Sequence, residues 1–199
     1  MTPQNRFRIG IILGVVLIAA GCNKKDNSKS NFKAAIDNYY QAHPACLWPE
    51  SKKFPVQAAT DDDAKTQGYD ALTDAGLLTR STAEKKRFLV GSKQVNNYDI
   101  SAQGRSTWTQ DPTQPGYGNF CYAHRDVSSI DGYTTGVNSA GEKTATVNYH
   151  FTLNSVANWA KSQEMQTAFP SLNAVSAGSQ PARATLVMNG DSWQVSQSQ

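Results

Sequence analysis

The sequence is poor in the residues that build most metal and catalytic centres. It contains three cysteines and three histidines in 199 residues. None of them stands in an H-x-x-x-H, H-E-x-x-H or C-x-x-C spacing, so zinc has no recognisable ligand set. The G-x-S-x-G turn of many serine hydrolases is missing as well. We therefore predict no metal, no cofactor and no catalytic residue from local patterns.

Charge of one sign is also scarce. Lysine and arginine number 19 and aspartate and glutamate number 16, which gives a formal net charge of +3. Two of the positive charges, Arg6 and Arg8, lie in a segment that we expect to be removed, which leaves about +1. Nucleic-acid binding requires a strongly basic, clustered surface. We therefore predict no nucleic-acid partner.

There is one long apolar run, and it lies at the start of the chain. Arg6 and Arg8 come first, residues 9–20 are almost all apolar, and the segment ends in the small residues Ala19, Ala20 and Gly21. This order is typical of an export signal. About a dozen apolar residues are too few to cross a ~30 Å hydrocarbon layer. We predict that residues 1–21 are a signal peptide that is removed.

The end of this segment, Ile18 to Cys22 (IAAGC), resembles the lipobox of bacterial lipoproteins, although Ala19 stands where leucine is commoner. The resemblance implies that the signal peptidase cuts before Cys22 and that Cys22 carries diacylglycerol and a further acyl chain such as palmitate. Several acyl chains anchor firmly, because each buried CH₂ contributes about 0.8 kcal/mol. The alternative is an ordinary export signal in which Cys22 stands by chance.

The lipobox resemblance also implies a location and a partner. It places the chain at the cell envelope, with the membrane bound through Cys22. Asn23 follows, where an aspartate would retain the protein at the inner membrane, so an outer-membrane anchor facing the periplasm is expected in a Gram-negative cell.

Beyond the signal, the pattern predicts an α+β fold. Residues 22–30 are polar and without period, which is typical of a flexible tether. Residues 31–110 contain helical spacing, residues 111–118 (DPTQPGYG) form a connector, and residues 119–199 are rich in strands. Unbroken alternation of apolar and polar residues over 144–153 predicts a strand of an antiparallel sheet.

Part of the helical region resembles the second half of a winged-helix domain. The phrase Leu-x-x-x-Gly-Leu-Leu and the later phrase Tyr-x-Ile-Ser-x-x-Gly-Arg carry the resemblance, through Leu72, Gly76, Leu77, Leu78, Tyr98, Ile100, Ser101, Gly104 and Arg105. The resemblance implies a helix followed by a β-hairpin wing, packed with the C-terminal sheet. The helix from Asp61 to Gly76 holds five aspartates and one lysine, which would repel phosphate groups. A simple helix and hairpin is the alternative.

Cys46 and Cys121 remain after Cys22 is assigned to the lipid. An even pair in an oxidising compartment favours a disulfide. Closing a loop of about 75 residues would stabilise the fold by a few kcal/mol in the chain-entropy model. Two free thiols or one reactive thiol are the alternatives. A nucleophile formed by Cys121 and His124 is disfavoured, because residues three apart on a strand point to opposite faces.

Residues 136–144 (GVNSAGEKT) nearly match a phosphate-binding loop. Glu142, however, separates the second glycine from Lys143, and a strand follows instead of a helix. We predict a hairpin loop here.

We predict a membrane-anchored lipoprotein that acts as a non-enzymatic binding or adaptor module for another envelope protein or a cell-wall partner. The aromatic side chains that could form its contact surface are Tyr39, Tyr40, Trp48, Tyr117, Tyr122 and Tyr133. The alternative is an envelope enzyme, a hydrolase, whose catalytic residues are dispersed along the chain.

Overall fold

The structure, a computed structural model, describes residues 26–86 and 91–198. The predicted signal peptide, Cys22 and residues 87–90 lie outside the described residues. The helices are α1 (Lys29–Ala42), α2 (Asp63–Asp74), α3 (Ala102–Thr107) and α4 (Gln163–Ala168). The strands are β1 (Ala45–Cys46), β2 (Lys52–Lys53), β3 (Val56–Ala59), β4 (Leu78–Lys86), β5 (Ser92–Ile100), β6 (Trp108–Gln110), β7 (Tyr117–Val137), β8 (Lys143–Asn154), β9 (Gln180–Asn189) and β10 (Ser192–Ser198). Short 3₁₀ helices at Asn158–Lys161 and Pro170–Ser176 flank α4.

The larger sheet is antiparallel and runs in the order β1-β7-β8-β9-β10, with β2 and β6 also paired to β7. In β8 the apolar residues Ala145, Val147, Tyr149 and Phe151 are buried, which confirms the strand predicted from alternation. They pack with one face of α1 into the first core. The sheet and its covering helices confirm the predicted α+β class.

The second core lies around a three-stranded antiparallel sheet in the order β3-β5-β4. Its central side chains are fully buried and come from α2, β5, β7 and α4: Leu72, Tyr98, Phe120 and Met165. Helix α2 begins at its cap Asp62, whose side chain accepts a hydrogen bond from the Lys65 backbone. It ends because Gly76 adopts a φ of +76° and the Leu77 backbone N–H reaches the Leu72 carbonyl.

Several boundaries differ from those predicted. Lys29 and Ser30 belong to α1, which is capped by Ser28, so ordered structure begins inside the predicted tether of residues 22–30. Strand β7 begins at Tyr117, inside the predicted connector 111–118. The region 31–110, predicted as helical and winged-helix-like, contains β3, β4, β5 and β6 besides its helices.

A disulfide ties the end of α1 to the large sheet. Cys46 on β1 faces Cys121 on β7, with their Sγ atoms 2.03 Å apart. The pair that the sequence favoured therefore lies at bonding distance. Because Cys121 is bonded to Cys46, it has no free thiol to act as a nucleophile.

Within residues 26–86 and 91–198, no helix has both the length and the apolar character needed to cross a membrane.

Candidate functional site

The segment that follows the disulfide carries Trp48 to the surface. The Leu47 backbone N–H donates to the Phe120 carbonyl at 3.0 Å, and the Leu47 side chain is buried. The next ring, that of Trp48, is only half-buried, and cavities open on both of its sides. We call the two cavities together the Trp48 cleft. The larger has a volume of about 590 Å³ and the smaller about 360 Å³.

One asparagine fixes the backbone of Trp48. The Asn119 side chain donates from Nδ2 to the Trp48 carbonyl at 2.7 Å and accepts from the Trp48 N–H at 3.3 Å. Both backbone groups of Trp48 are therefore satisfied by a single side chain of β7. Buried backbone groups almost always find such partners, and here the result is a tryptophan held in one place between two cavities.

The larger cavity has aromatic walls and a polar rim. The Trp48 ring centroid lies 6.1 Å from that of Phe169, and Tyr69 lines the same cavity. Burial raises the pKa of the Tyr69 hydroxyl, so Tyr69 stays neutral at physiological pH. Lys52 and Gln67 supply the polar groups of the lining.

The smaller cavity lies at the C-terminal end of α1. Tyr39 and His43 are one helical turn apart and stack with ring centroids 4.1 Å apart. His43 Nδ1 lies 2.8 Å from the Tyr39 carbonyl, which can only accept, so Nδ1 carries the proton. Tyr122 is also part of the lining, and burial raises the pKa of its hydroxyl.

Arg125 on β7 is the cation of this smaller cavity. Its guanidinium carbon lies 5.0 Å from the Tyr40 ring centroid and 4.8 Å from that of Phe151. Its Nη1 donates to the Tyr40 hydroxyl at 3.1 Å, and that hydroxyl lies 3.0 Å from the hydroxyl of Tyr149. Burial, followed by the bond to Tyr40, raises the pKa of Tyr149, so the Tyr149 hydroxyl stays neutral.

The positive charge of Arg125 has no counter-charge among the residues that the structure describes, since no carboxylate lies within 4 Å of it. A guanidinium has five N–H donors in a planar fork. Within the same residues its one hydrogen bond to a side chain is the bond to Tyr40. The arrangement therefore offers donors and positive charge to an anion next to aromatic walls.

The structure brings four of the six predicted aromatic residues together. Tyr39, Tyr40, Trp48 and Tyr122 line the smaller cavity. Tyr117 lies instead beneath Lys53, whose Nζ is 5.7 Å from the ring, and Tyr133 packs against Phe32. These last two therefore do not belong to the Trp48 cleft.

Sequence reasoning missed Arg125, Asn119 and Phe169. The local sequence gave no clear signal for Arg125, because its neighbours His124 and Asp126 are polar as well. Its contacts with Tyr40, 85 residues earlier, gave no local signal. Within the described parts of the chain, no group of three or more His, Cys, Asp or Glu residues is placed to hold a metal ion.

Comparison of the chain with protein-family models, with curated proteins and with solved structures gave no match in any of the three. What the Trp48 cleft binds therefore has to follow from its own geometry.

Proposed function

We propose that the mature protein is a lipoprotein held at the cell envelope by acyl chains on Cys22, and that it is a non-enzymatic binding module. Its ligand occupies the smaller cavity of the Trp48 cleft. The observation that carries this proposal is the guanidinium of Arg125, half-buried among aromatic rings with no carboxylate from the described residues beside it. A cation in that setting favours an anionic partner, because partial burial removes water that would otherwise solvate it.

The chemistry of the cavity favours a carboxylate on a ring-shaped or flat body. The fork of an arginine matches a carboxylate through two parallel hydrogen bonds. The rings of Tyr39, Trp48 and Tyr122 line the cavity and supply apolar contacts for the rest of the ligand. A volume of about 360 Å³ falls in the range of roughly 300–1,000 Å³ that is usual for small-ligand sites. Carboxylates of this kind occur on envelope proteins and on cell-wall components.

We further propose that β3, α2, β4 and β5 form a winged-helix-like unit reused as a scaffold. Support comes from the strand order β3-β5-β4 beside α2, from the turn at Gly76, and from the close approach of Gly104 on α3 to Leu77. The acidic side chains of α2, among them Asp63, Asp70 and Asp74, favour a protein-packing role over contact with nucleic acid.

Photo-crosslinking in intact cells tests the binding site. A photoreactive phenylalanine replaces Ser171, an exposed residue of the smaller cavity, and in a second strain it replaces Ser196, an exposed residue of β10 that lines neither cavity. We expect a specific crosslinked product from position 171 alone, and its loss when Arg125→Gln is added. Equal products from both positions, or a product that survives Arg125→Gln, would contradict the proposal.

Metabolic labelling tests the anchor. Cells fed radiolabelled palmitate should label the full-length protein and leave a Cys22→Ser variant unlabelled. Once its signal peptide has been removed, the variant should also leave the membrane fraction, because it lacks the acyl chains that give firm anchoring. Labelling of the Cys22→Ser variant would refute anchoring through Cys22.

A further inference from the structure

Two large apolar side chains stand exposed among the described residues, and both lie near one end of β7. Val137 is 67% exposed and Tyr133 is 38% exposed. Val137 is the last residue of β7 and pairs with Lys143 at the start of β8. We call residues 133–143 the β7–β8 tip. Tyr133 and Val137 are four positions apart along a regular stretch of β7, so both face the same side of the sheet, where exposed apolar side chains can mark a contact surface.

The chain enters the folded body beside this tip. The Tyr133 hydroxyl donates to the Asn27 carbonyl at 2.8 Å, and Trp193 Nε1 donates to the Asp26 carbonyl at 3.4 Å. Asn27, Val137 and Lys143 line one small cavity together. The backbone of Asp26 and Asn27 is therefore held at the same end of the sheet as the exposed side chains.

The distance from this point to Cys22 is short. Asp26 is the fourth residue after Cys22, a separation of at most about 14 Å when the chain is fully extended. Acyl chains on Cys22 lie in the hydrocarbon layer of the membrane, so the body cannot move far from the headgroups. Tyr133 of the β7–β8 tip and Trp193 of β10 are hydrogen-bonded to Asn27 and Asp26, so the tip lies among the surfaces close to the anchor.

The charges of the tip favour an apolar contact over an electrostatic one. Glu142 and Lys143 carry opposite charges on adjacent residues, and Glu142 accepts a hydrogen bond from Asn138. Such a pair gives little attraction to an anionic surface. A tyrosine and an exposed valine suit the interface between headgroups and acyl chains, where amphipathic aromatic rings concentrate.

We propose that the β7–β8 tip rests in the headgroup layer of the membrane that holds the anchor, and that this contact orients the body. The inference depends on the lipid anchor of the proposed function. Helix α1 runs from the tether to the Trp48 cleft over 14 residues, about 21 Å. With its N-terminal end at the membrane, the cleft is presented about one helix length away from the lipid.

Depth-dependent fluorescence quenching tests the proposal. The full-length lipidated protein is reconstituted into phosphatidylcholine vesicles with an environment-sensitive dye on Cys at position 135, from Thr135→Cys. The matched control carries the dye at position 171, from Ser171→Cys, at the far end of α1. Both positions are exposed, and the remaining cysteines are acylated or bonded to each other.

We expect spin-labelled lipids to quench the dye at position 135 at least about twofold more strongly than the dye at position 171. Adding Val137→Glu should reduce the quenching at position 135, because a carboxylate is costly to place among acyl chains. Equal quenching at the two positions, or no effect of Val137→Glu, would overturn the inference.

Flotation of the vesicles separates the two possible failures. If the protein floats with the vesicles but the dye at position 135 is not preferentially quenched, the anchor is present. That outcome refutes only the membrane contact of the tip. Protein that does not float refutes the lipid anchor, and the inference falls with it.

Discussion

The side chain of Arg125 is exceptional among the charged groups of the chain because aromatic rings, and no described carboxylate, surround it. Four other basic side chains of the described residues pair with carboxylates, among them Arg80 with Asp70 at 2.6 Å and Lys33 with Asp37 at 2.8 Å. These exposed pairs contribute little to stability. Arg125 is therefore the residue whose replacement should affect binding more than folding.

A matched pair of sugars tests the carboxylate preference of Arg125. N-acetylmuramic acid carries a carboxylate that N-acetylglucosamine lacks, and the purified full-length protein can be titrated with each while tryptophan fluorescence is recorded. We expect tighter binding of the acid. Arg125→Gln should weaken it about tenfold or more, because a charged hydrogen bond contributes roughly 1.5–3 kcal/mol.

The control for this titration is Arg183→Gln. Arg183 is exposed on β9 and donates to Asn148 on the strand beside it, away from the cleft. Its loss should leave the affinity unchanged. Equal binding of both sugars by the original protein would argue against a carboxylate site.

Asp111 should make stability depend on pH in the acid range. Its carboxylate accepts hydrogen bonds from the Thr113 hydroxyl at 2.7 Å, the Ser51 hydroxyl at 2.7 Å and the Thr113 backbone at 2.8 Å. Those bonds lower the pKa of Asp111 to about 2 from its ordinary value of 3.8. Because the pKa is lower in the folded protein, the stabilisation is complete above about pH 4 and is lost as the pH falls towards 2.

The variant Asp111→Asn measures that contribution. Its melting temperature should lie below that of the original protein at pH 7, and the gap should close as the pH falls from about 4 towards 2. Circular dichroism melts across this range give the comparison. A gap that stays constant would show that the Asp111 charge is not what stabilises the turn.

At the scale of elements, the contact of α3 with the end of α2 depends on a glycine. A Cβ built on Gly104 would lie 2.0 Å from the Leu77 carbonyl oxygen, a backbone atom that cannot move away cheaply. Ser101 completes the contact, since its hydroxyl donates to the Gly76 carbonyl and accepts from the Gly104 N–H. This packing gives a physical reason for the Leu-Leu and Ser-x-x-Gly phrases in the sequence.

Gly104→Ala should therefore destabilise the protein by roughly 1–3 kcal/mol, the usual cost of forcing extra atoms into a packed site. Gly132→Ala is the matched control, because nothing lies within 4 Å of a Cβ built there. Urea unfolding monitored by fluorescence compares the two. Similar midpoints for both variants would contradict the close approach of α3 to Leu77.

Elements with a local pattern could be predicted from the sequence, and elements defined by distant pairing could not. The alternation over 144–153 predicted β8 because burial on one face imposes a period of two. The hairpin predicted at residues 136–144 is the turn between β7 and β8. Strand β7 was not predicted in full, because its 21 residues pair first with β1, β2 and β6 and then with β8.

The candidate site shows the same limit. Tyr39 and Tyr40 could be named as candidate contact residues from the sequence because they are aromatic. Their meeting with Tyr122 and Arg125 depends on the way α1 packs on the large sheet, which no short stretch of residues encodes. Phe169 reaches the Trp48 cleft from the turn after α4, and only the fold brings it there.

At the scale of the whole molecule, the disulfide joins β1, which follows α1 of the first core, to β7, which contributes side chains to both cores. Cys46 and Cys121 are 75 residues apart, and a closed loop of that length restricts the unfolded chain strongly. We expect the variant Cys46→Ala/Cys121→Ala to lose roughly 2–5 kcal/mol of stability. Unfolding in urea, with and without a reductant, measures the loss.

The reductant supplies the internal check for this prediction. It should lower the unfolding midpoint of the original protein towards that of the double variant and leave the double variant unchanged. If the original protein kept its midpoint after complete reduction, confirmed by thiol counting, the disulfide would contribute nothing to stability.

Strand β7 serves both cores at once, since Phe120 and Tyr122 are buried in the second core while Val127 and Ile130 are buried in the first. Replacing either half of the chain at residues 111–118 with an unrelated domain would disrupt a core, because both cores need side chains from β7. We therefore expect substitutions to be tolerated mainly in the turns and at the rims of the cavities, because a change along β7 affects both cores.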